Sequence, residues 1–134
     1  MEQQQPITQT AKILIVEDEE SMLDALADKF AREGFPRPLT ARDGESGLAI
    51  ALKEHPDLLL VDILMPKLDG LTMLKKIRED EWGKTAKAII LTNLDTTDEM
   101  LGTVAATEPS YYLLKSNWKI EDVIHKSKEV LGLL

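Results

Sequence analysis

Short apolar runs alternate with segments of helical periodicity along this chain. Four runs have the length and composition of buried parallel strands. They occupy residues 12–16, 58–61, 88–91 and 111–114. One more strand, the second along the chain, is predicted over residues 35–41. We expect it at an edge of the sheet, because Pro36 and Pro38 each lack a backbone N–H donor.

Helical segments separate these strands. After the first strand, apolar residues recur at helical spacing as far as Phe30, and Gly34 predicts the end of that helix. Ser21 and Asp24 predict a capping box at its start. Further helices are predicted over residues 45–53, 71–77, 98–106 and 120–131. This alternation predicts a doubly wound α/β fold, in which helices cover both faces of a five-stranded parallel sheet.

The composition fits one globular domain. The chain has 134 residues, of which 43% are apolar and 30% are charged, and its length allows a core that needs no crosslinks. No cysteine is present, which excludes disulfides and thiolate metal sites. We expect a polar, glutamine-rich tail at residues 1–10, the domain at residues 11–132 and its C-terminal end at residues 133–134.

The charge and the N-terminal segment limit the location and the partners. A formal net charge of -8 argues against direct nucleic-acid binding, which requires clustered lysine and arginine. Residues 1–10 have no apolar core and resemble neither a secretion signal nor a membrane anchor. We therefore expect a cytoplasmic protein that binds neither nucleic acid nor membrane.

Polar side chains stand at the ends of the predicted strands. Glu17 and Asp18 follow the first strand, Asp62 the third, Thr92 the fourth and Lys115 the fifth. The carboxyl ends of parallel strands meet at one edge of a sheet, where α/β proteins bind their ligands. We therefore expect these five side chains to form one site.

Three carboxylates at one site repel each other unless a cation neutralises them. Oxygen ligands without cysteine or a nearby histidine indicate Mg²⁺. A carboxylate beside that ion can accept a phosphoryl group, and the ammonium of Lys115 can neutralise the phosphoryl oxygens. Each residue also has an ordinary structural interpretation: acids favour a helix start, and Lys115 can be a surface lysine. Their joint position favours the functional interpretation.

Two segments resemble the receiver domain of bacterial two-component response regulators. Residues 56–70 (PDLLLVDILMPKLDG) are similar to the phosphoacceptor motif of that family, and residues 13–18 (ILIVED) are similar to its first strand and acidic pair. The resemblance implies a flavodoxin-like fold with strand order 2-1-3-4-5. It also implies a signalling phosphoacceptor that catalyses only its own phosphorylation and dephosphorylation, rather than an enzyme with a separate substrate.

The resemblance also assigns roles within the acidic site. Asp62 is implied to be the residue that becomes an aspartyl phosphate. Asp18, Asp62 and the carbonyl of Leu64 are implied to bind Mg²⁺, and Glu17 is implied to act on the ion through water.

Further implied roles concern the signal. Thr92 and Tyr112 match the switch pair of the family, and Lys115 matches the lysine that pairs with the phosphoryl group. The implied partners are a sensor histidine kinase or phosphotransfer protein, and an output protein or output domain. A homodimer formed on phosphorylation is a further expectation, through the face built by the fourth helix, fifth strand and fifth helix.

The chain departs from the family pattern in two segments. Ser116 follows Lys115 where the family usually has proline, and residues 107–110 replace a Gly-Ala turn. In addition, Leu64 and Leu94 occupy the two positions that flank the water which hydrolyses the phosphoryl group. Two leucines predict slow self-hydrolysis, because neither can orient that water.

Two other classes of protein remain as alternatives. One is a Mg²⁺-dependent phosphohydrolase or nucleotide-binding α/β domain. The chain has no G-x-x-x-x-G-K loop and no second acid two residues after Asp62 to support it. The other is a pseudo-receiver that binds partners without phosphorylation, which is disfavoured because every group of the site is present.

Overall fold

The fold is a parallel sheet of five strands between two layers of helices. The computed structural model describes residues 10–92, 102, 104–114 and 118–134. The strands are β1 (Ile13–Val16), β2 (Leu39–Ala41), β3 (Leu58–Val61), β4 (Ala88–Thr92) and β5 (Tyr111–Leu114). They lie in the order β2-β1-β3-β4-β5 and all pair in parallel, which confirms the predicted fold class and strand order.

Helices connect the strands across both faces of the sheet. They are α1 (Glu20–Arg32), α2 (Gly44–Glu54), α3 (Gly70–Glu79) and α5 (Ile120–Val130). A further helix, α4, is described at residue 102 and at residues 104–106, and the rest of its predicted range, 98–106, lies outside the described residues. A short 3-10 helix at Trp82–Thr85, which no sequence pattern indicated, follows α3. None of the described helices combines the length and the apolar character needed to cross a membrane.

Alternate residues of the strands form two separate hydrophobic cores. One core packs against α2 and α3, and its strand residues include Leu14, Val16, Leu59, Val61 and Ile90. The other packs against α1 and α5, and its strand residues include Ile13, Ile15, Leu58, Leu60 and Ile89. Because both faces are covered, β1, β3 and β4 are apolar at every position except Thr92.

The start of α1 differs from the prediction. Glu19 is the N-cap residue, and its side chain makes no capping hydrogen bond. Ser21 lies within the first turn, and its hydroxyl donates to Oε1 of Glu19 at 3.3 Å, so the predicted capping box with Asp24 does not form. Negative charge is favourable at a helix N-terminus, which allows the helix to begin among the acids that follow β1. The predicted end is confirmed, since Gly34 has a φ of 96° directly after the C-cap residue.

Strand β2 is shorter than predicted. It is an edge strand, as expected, but it covers only Leu39–Ala41 rather than residues 35–41. Phe35 is buried and packs edge-to-face on Phe30, with ring centroids 5.2 Å apart. The segment before β2 therefore covers the end of α1, and Pro36 and Pro38 keep it out of the hydrogen-bond ladder.

Candidate metal centre

The hydrogen bonding of the sheet continues past the strand ends and fixes two acidic residues. Asp62 follows β3, and its N–H donates to the carbonyl of Val16 at 3.0 Å. Glu17 follows β1, and its N–H donates to the carbonyl of Ala41 at 3.0 Å. The two residues are only 7% and 3% exposed, respectively. Their backbones are therefore held at the carboxyl edge of the sheet, as predicted.

Three carboxylates converge at this edge. One oxygen from each of Glu17, Asp18 and Asp62 lies within 4.8 Å of the other two. Asp18 is exposed and the other two are buried, so the group opens to solvent on one side. A compact set of oxygen ligands fits a hard divalent cation such as Mg²⁺, which would also offset the repulsion among the three charges. The structure thus brings together the acids that the sequence placed at one site.

The loop from β3 to α3 approaches Asp62 closely. The N–H of Gly70 donates to the carbonyl of Ile63 at 2.9 Å, which folds the loop back on the end of β3. A Cβ atom on Gly70 would lie 2.0 Å from the carbonyl oxygen of Asp62. Only glycine permits this approach. Within the loop, the side chain of Leu64 is 56% exposed.

A weak ion pair connects this loop to α2. Nζ of Lys67 lies 4.0 Å from Oδ2 of Asp43, the N-cap residue of α2. The pKa of Asp43 is lowered, chiefly by the hydrogen bond that it accepts from the N–H of Ser46, and Lys67 contributes further. Asp43 therefore stays ionised at neutral pH, and its charge is directed at the helix N-terminus rather than at the acidic cluster.

The predicted switch residues lie on β4, which pairs with β3, and on β5, which pairs with β4. Thr92 is the last residue of β4 and is fully buried. Tyr112 pairs with Ile90 in the β4–β5 register and packs against the core on the side of α3. Its hydroxyl oxygen is buried, and no residue in the described part of the chain hydrogen-bonds to it. Lys115 and Leu94 lie outside the described residues, and their roles stay predictions.

One basic side chain beside the cluster was missed by the sequence analysis. Arg42 follows β2, and its Nη2 lies 3.4 Å from the carbonyl oxygen of Asp18. Its Nη1 lies 3.8 Å from Oε2 of Glu20. The signal was present in the sequence, since Arg42 also stands at the carboxyl end of a strand. The arginine places a positive charge on the loop that carries Asp18.

The fold and this site define a class of protein that the sequence comparison identifies. Residues 13–127 match the family described as response regulator receiver domain. The match covers most of the chain, and the chain belongs to that family. The acidic cluster lies within the matched range and at the sheet edge where this fold binds its ligands.

Several transcriptional regulators are similar in sequence. The alkaline phosphatase synthesis transcriptional regulatory protein PhoP of Bacillus subtilis is 43% identical over 70 residues, which cover 52% of this chain and 29% of that protein. A probable transcriptional regulator, ycf27, of Galdieria sulphuraria is 40% identical over 92 residues, which cover 68% of this chain and 34% of that protein. This chain therefore spans about a third of the length of these relatives.

Solved structures of receiver domains share the fold. A CheY-like response regulator receiver domain from Methanospirillum hungatei has a TM-score of 0.82 and 27% identity, with 91% of this chain and 94% of that chain covered. The CheX-CheY complex of Borrelia burgdorferi with beryllofluoride and magnesium gives a TM-score of 0.79 and 27% identity, with 90% and 88% covered.

Replacement of Gly70 by alanine tests the close approach of the loop to Asp62. We expect Gly70→Ala to lower the free energy of unfolding by about 1–3 kcal/mol, because the new methyl group overlaps a main-chain oxygen. It should also weaken Mg²⁺ binding measured by calorimetry, since Asp62 must move.

The matched control for this change is Gly102→Ala. Gly102 is helical, and a Cβ atom there would meet no atom within 4 Å. The control should gain about 0.5–1 kcal/mol from helix propensity and bind Mg²⁺ like the wild type. Equal Mg²⁺ affinity in both variants would show that Gly70 does not position the acceptor.

Removal of one hydroxyl tests the buried position of Tyr112. We expect Tyr112→Phe to raise the free energy of unfolding by about 1 kcal/mol, because it removes a buried polar atom without a partner. Urea unfolding would measure the change. The control Tyr111→Phe alters an exposed side chain and should change stability by less than about 0.5 kcal/mol. A clear loss of stability in Tyr112→Phe would contradict the buried, unbonded hydroxyl.

Proposed function

We propose that this receiver domain is phosphorylated on Asp62 in a Mg²⁺-dependent reaction and thereby changes a partner-binding surface. The observation that carries the proposal is the convergence of three carboxylates, Glu17, Asp18 and Asp62, within 4.8 Å at the carboxyl edge of the sheet. Two of them are buried. Such a concentration of negative charge is costly without a cation, so its presence favours a metal-dependent function.

The residues that would hold the ion come from two loops. Asp18 and Asp62 would supply carboxylate oxygens, the carbonyl of Leu64 would supply a third ligand, and Glu17 would act through water. The bound ion would neutralise the carboxylates and the charge on an incoming phosphoryl group. Arg42 would help to hold the loop of Asp18 through its contact with the main chain.

Asp62 would act as the nucleophile. One of its carboxylate oxygens would attack phosphorus, while the bond from phosphorus to the leaving group of the donor breaks, and an acyl phosphate would form. The backbone hydrogen bond to Val16 holds Asp62 in place during this exchange. The ammonium of Lys115 would pair with a phosphoryl oxygen and would neutralise negative charge on the phosphoryl group that the metal ion does not neutralise.

The signal would pass to the neighbouring strands through Thr92 and Tyr112. Thr92 ends the strand adjacent to β3, and its hydroxyl would move toward the phosphoryl group. Tyr112 would respond from β5, where its side chain packs against the core. The output would be a shift between two existing conformations of the surface built by α4, β5 and α5.

The partners follow from this role. We infer a sensor histidine kinase or a phosphotransfer protein as the donor, and an output protein or output domain as the receiver of the signal. A homodimer formed on phosphorylation through α4, β5 and α5 would be one form of output. The net charge of -8 favours partners with basic surfaces and argues against direct binding of nucleic acid. We infer a cytoplasmic location, where a histidine kinase or phosphotransfer protein would donate the phosphoryl group.

Mass spectrometry of the intact protein tests the assignment of Asp62 as the residue that accepts the phosphoryl group. After incubation with acetyl phosphate and Mg²⁺, the wild type should gain the mass of one phosphoryl group, and Asp62→Asn should gain none. Chelation of the ion should also prevent the gain, because the cluster then repels the anionic donor.

An aspartate outside the acidic cluster gives the control for this experiment. Asp24 is exposed on α1, and its side chain makes no hydrogen bond or ion pair among the described residues. Asp24→Asn removes the same charge and should be labelled like the wild type. Full labelling of Asp62→Asn, or labelling without a divalent cation, would contradict the proposed reaction.

The lifetime of the phosphorylated state tests the role of Leu64. Its exposed side chain stands beside the acidic cluster and offers no hydrogen bond to a water molecule. We expect Leu64→Asn to lose its phosphoryl group several-fold faster than the wild type. The increase should be on the order of 10-fold at most, because the asparagine adds only one weak contact that positions the water. The rate is measured by mass spectrometry of the intact protein, which follows the loss of the phosphorylated form after the donor is removed. Both proteins are measured in the same Mg²⁺ buffer.

An exposed leucine on α2 provides the comparison. Leu52 is 39% exposed and lies near the C-terminal end of α2, away from the carboxyl edge of the sheet. Leu52→Asn should leave the decay rate unchanged. If Leu64→Asn decays at the wild-type rate or more slowly, the side chain of Leu64 does not limit the access of water.

A further inference from the structure

Arg78, near the C-terminal end of α3, binds four main-chain carbonyl groups. Its Nε donates to Thr107 at 3.0 Å and its Nη2 to Glu108 at 2.9 Å. Its Nη1 donates to Gly83 at 2.8 Å and also to Ala86. Hydrogen bonds from a charged donor are about twice as strong as neutral ones. One partly buried side chain therefore connects α3 to the turn that follows it and to a second turn 29 and 30 residues further along the chain.

The four carbonyls belong to two connections at the same end of the sheet. Gly83 and Ala86 lie in the 3-10 helix and the turn that leads into β4. Thr107 and Glu108 lie between α4 and β5. Both strands start at this edge, which is opposite to the acidic cluster. We call the guanidinium of Arg78 and these four carbonyls the arginine clamp.

The guanidinium remains charged in this partly buried position. Burial lowers the pKa of Arg78, and the nearby carboxylate of Glu108 offsets part of that effect. Arginine stays protonated in proteins even so, because its ordinary pKa lies far above neutrality. Lysine cannot make the same set of hydrogen bonds, because an ammonium has one nitrogen whereas the planar guanidinium donates from three.

The turn that the clamp holds is stiff by itself. Glu108 has a φ of 51°, in the left-handed region that non-glycine residues rarely adopt, and Pro109 follows it. Thr107 is buried, and its hydroxyl donates to the carbonyl of Val104 at 2.7 Å. These contacts fix the last turn of α4 against the turn that follows it.

A second contact fixes the start of β5 on β4. The N–H of Ser110 donates to the carbonyl of Ala88 at 2.7 Å, and the N–H of Ala88 donates to the hydroxyl of Ser110 at 3.2 Å. This pair sets the register that puts Tyr112 opposite Ile90. The backbone position of Tyr112 is therefore determined from the clamped end of the sheet.

We propose that Arg78 is a positioning residue that makes the C-terminal end of α4 and the start of β5 the fixed pivot of the receiver's conformational change. This inference rests on the proposed function, because it concerns how far the change extends from the acidic cluster. The chain leaves β4 at the carboxyl edge and enters β5 at the opposite edge, so the connection that contains α4 has one end near the cluster and the other at the clamp. The clamp therefore gives this connection a fixed point at the end that leads into β5.

Hydrogen exchange without any phosphodonor tests the clamp itself. In Arg78→Lys, the amides of Thr107, Glu108 and Ser110 should exchange about tenfold faster or more, because at least one strong hydrogen bond to this region is lost. The amide of Asp62, which is bonded to Val16, should keep its wild-type rate. Arg78→Gln should give the same pattern with a larger change, and Arg78→Lys suffices if the glutamine variant does not fold.

Lys76→Gln is the matched control. Lys76 is an exposed cation on α3 and makes no hydrogen bond or ion pair within the described residues. Its removal should change neither group of amides. If Arg78→Lys accelerates exchange equally throughout the chain, or nowhere, Arg78 acts only on overall stability or not at all, and the proposal is wrong.

The same measurement with acetyl phosphate and Mg²⁺ tests the pivot. In the wild type, exchange at residues 107–110 should stay unchanged on phosphorylation while residues 111–114 respond, and in Arg78→Lys the response should extend into 107–110. A wild-type response at 107–110 as large as that at 111–114 would overturn the pivot. Mass spectrometry of the intact protein tests the proposed function separately: if the wild type takes up no phosphoryl group, the proposed function is wrong. The exchange rates of the unphosphorylated variants would still decide whether the arginine clamp exists.

Discussion

The pairing of β1 with β3 is the interaction on which the site depends. The N–H of Asp62 extends this pairing to the carbonyl of Val16, and the N–H of Glu17 extends the pairing of β1 with β2 to the carbonyl of Ala41. The two acids are thus held with carboxylate oxygens within 4.8 Å. Two ionised carboxylates at that separation repel by about 3–4 kcal/mol at an effective dielectric constant near 20. Burial of one large apolar side chain contributes about 1.5–3 kcal/mol, and both strands consist of such residues. The core therefore outweighs the repulsion, and a divalent cation bound among the three carboxylates would relieve it.

The described contacts at the two edges of the sheet hold different elements together. At the amino edge, side chains bind main-chain groups: the N–H of Lys12 donates to Oδ2 of Asp57 at 2.7 Å, and Arg78 and Ser110 join the starts of β4 and β5. At the carboxyl edge, the described contacts include an ion pair of 4.0 Å between Lys67 and Asp43. The proposed conformational change would start at the carboxyl edge, whereas charge-assisted hydrogen bonds from Arg78 hold the connections that lead into β4 and β5 at the opposite edge.

Patterns in the sequence predicted most of the fold, because four strands are unbroken apolar runs and the acids stand directly after them. They failed where tertiary contacts decide. The packing of Phe35 on Phe30 shortens β2, and the acids after β1 replace the expected cap of Ser21 at the start of α1. Arg78 could not be recognised, since its acceptors are main-chain carbonyls, two of them 29 and 30 residues away, and carbonyls carry no sequence signal.

Tyr112 combines a fixed backbone with an unsettled side chain. The contact between Ser110 and Ala88 sets its register, whereas its buried hydroxyl has no hydrogen-bond partner among the described residues. A buried polar atom in this condition costs about 1–3 kcal/mol. Minor conformations of switching proteins lie within a few kcal/mol of the major one, so this cost is comparable to the whole free-energy difference between two states. In the proposed switch, a partner gained or lost by this hydroxyl would be enough to shift the balance between two conformations, while the contact between Ser110 and Ala88 would keep the register of β5.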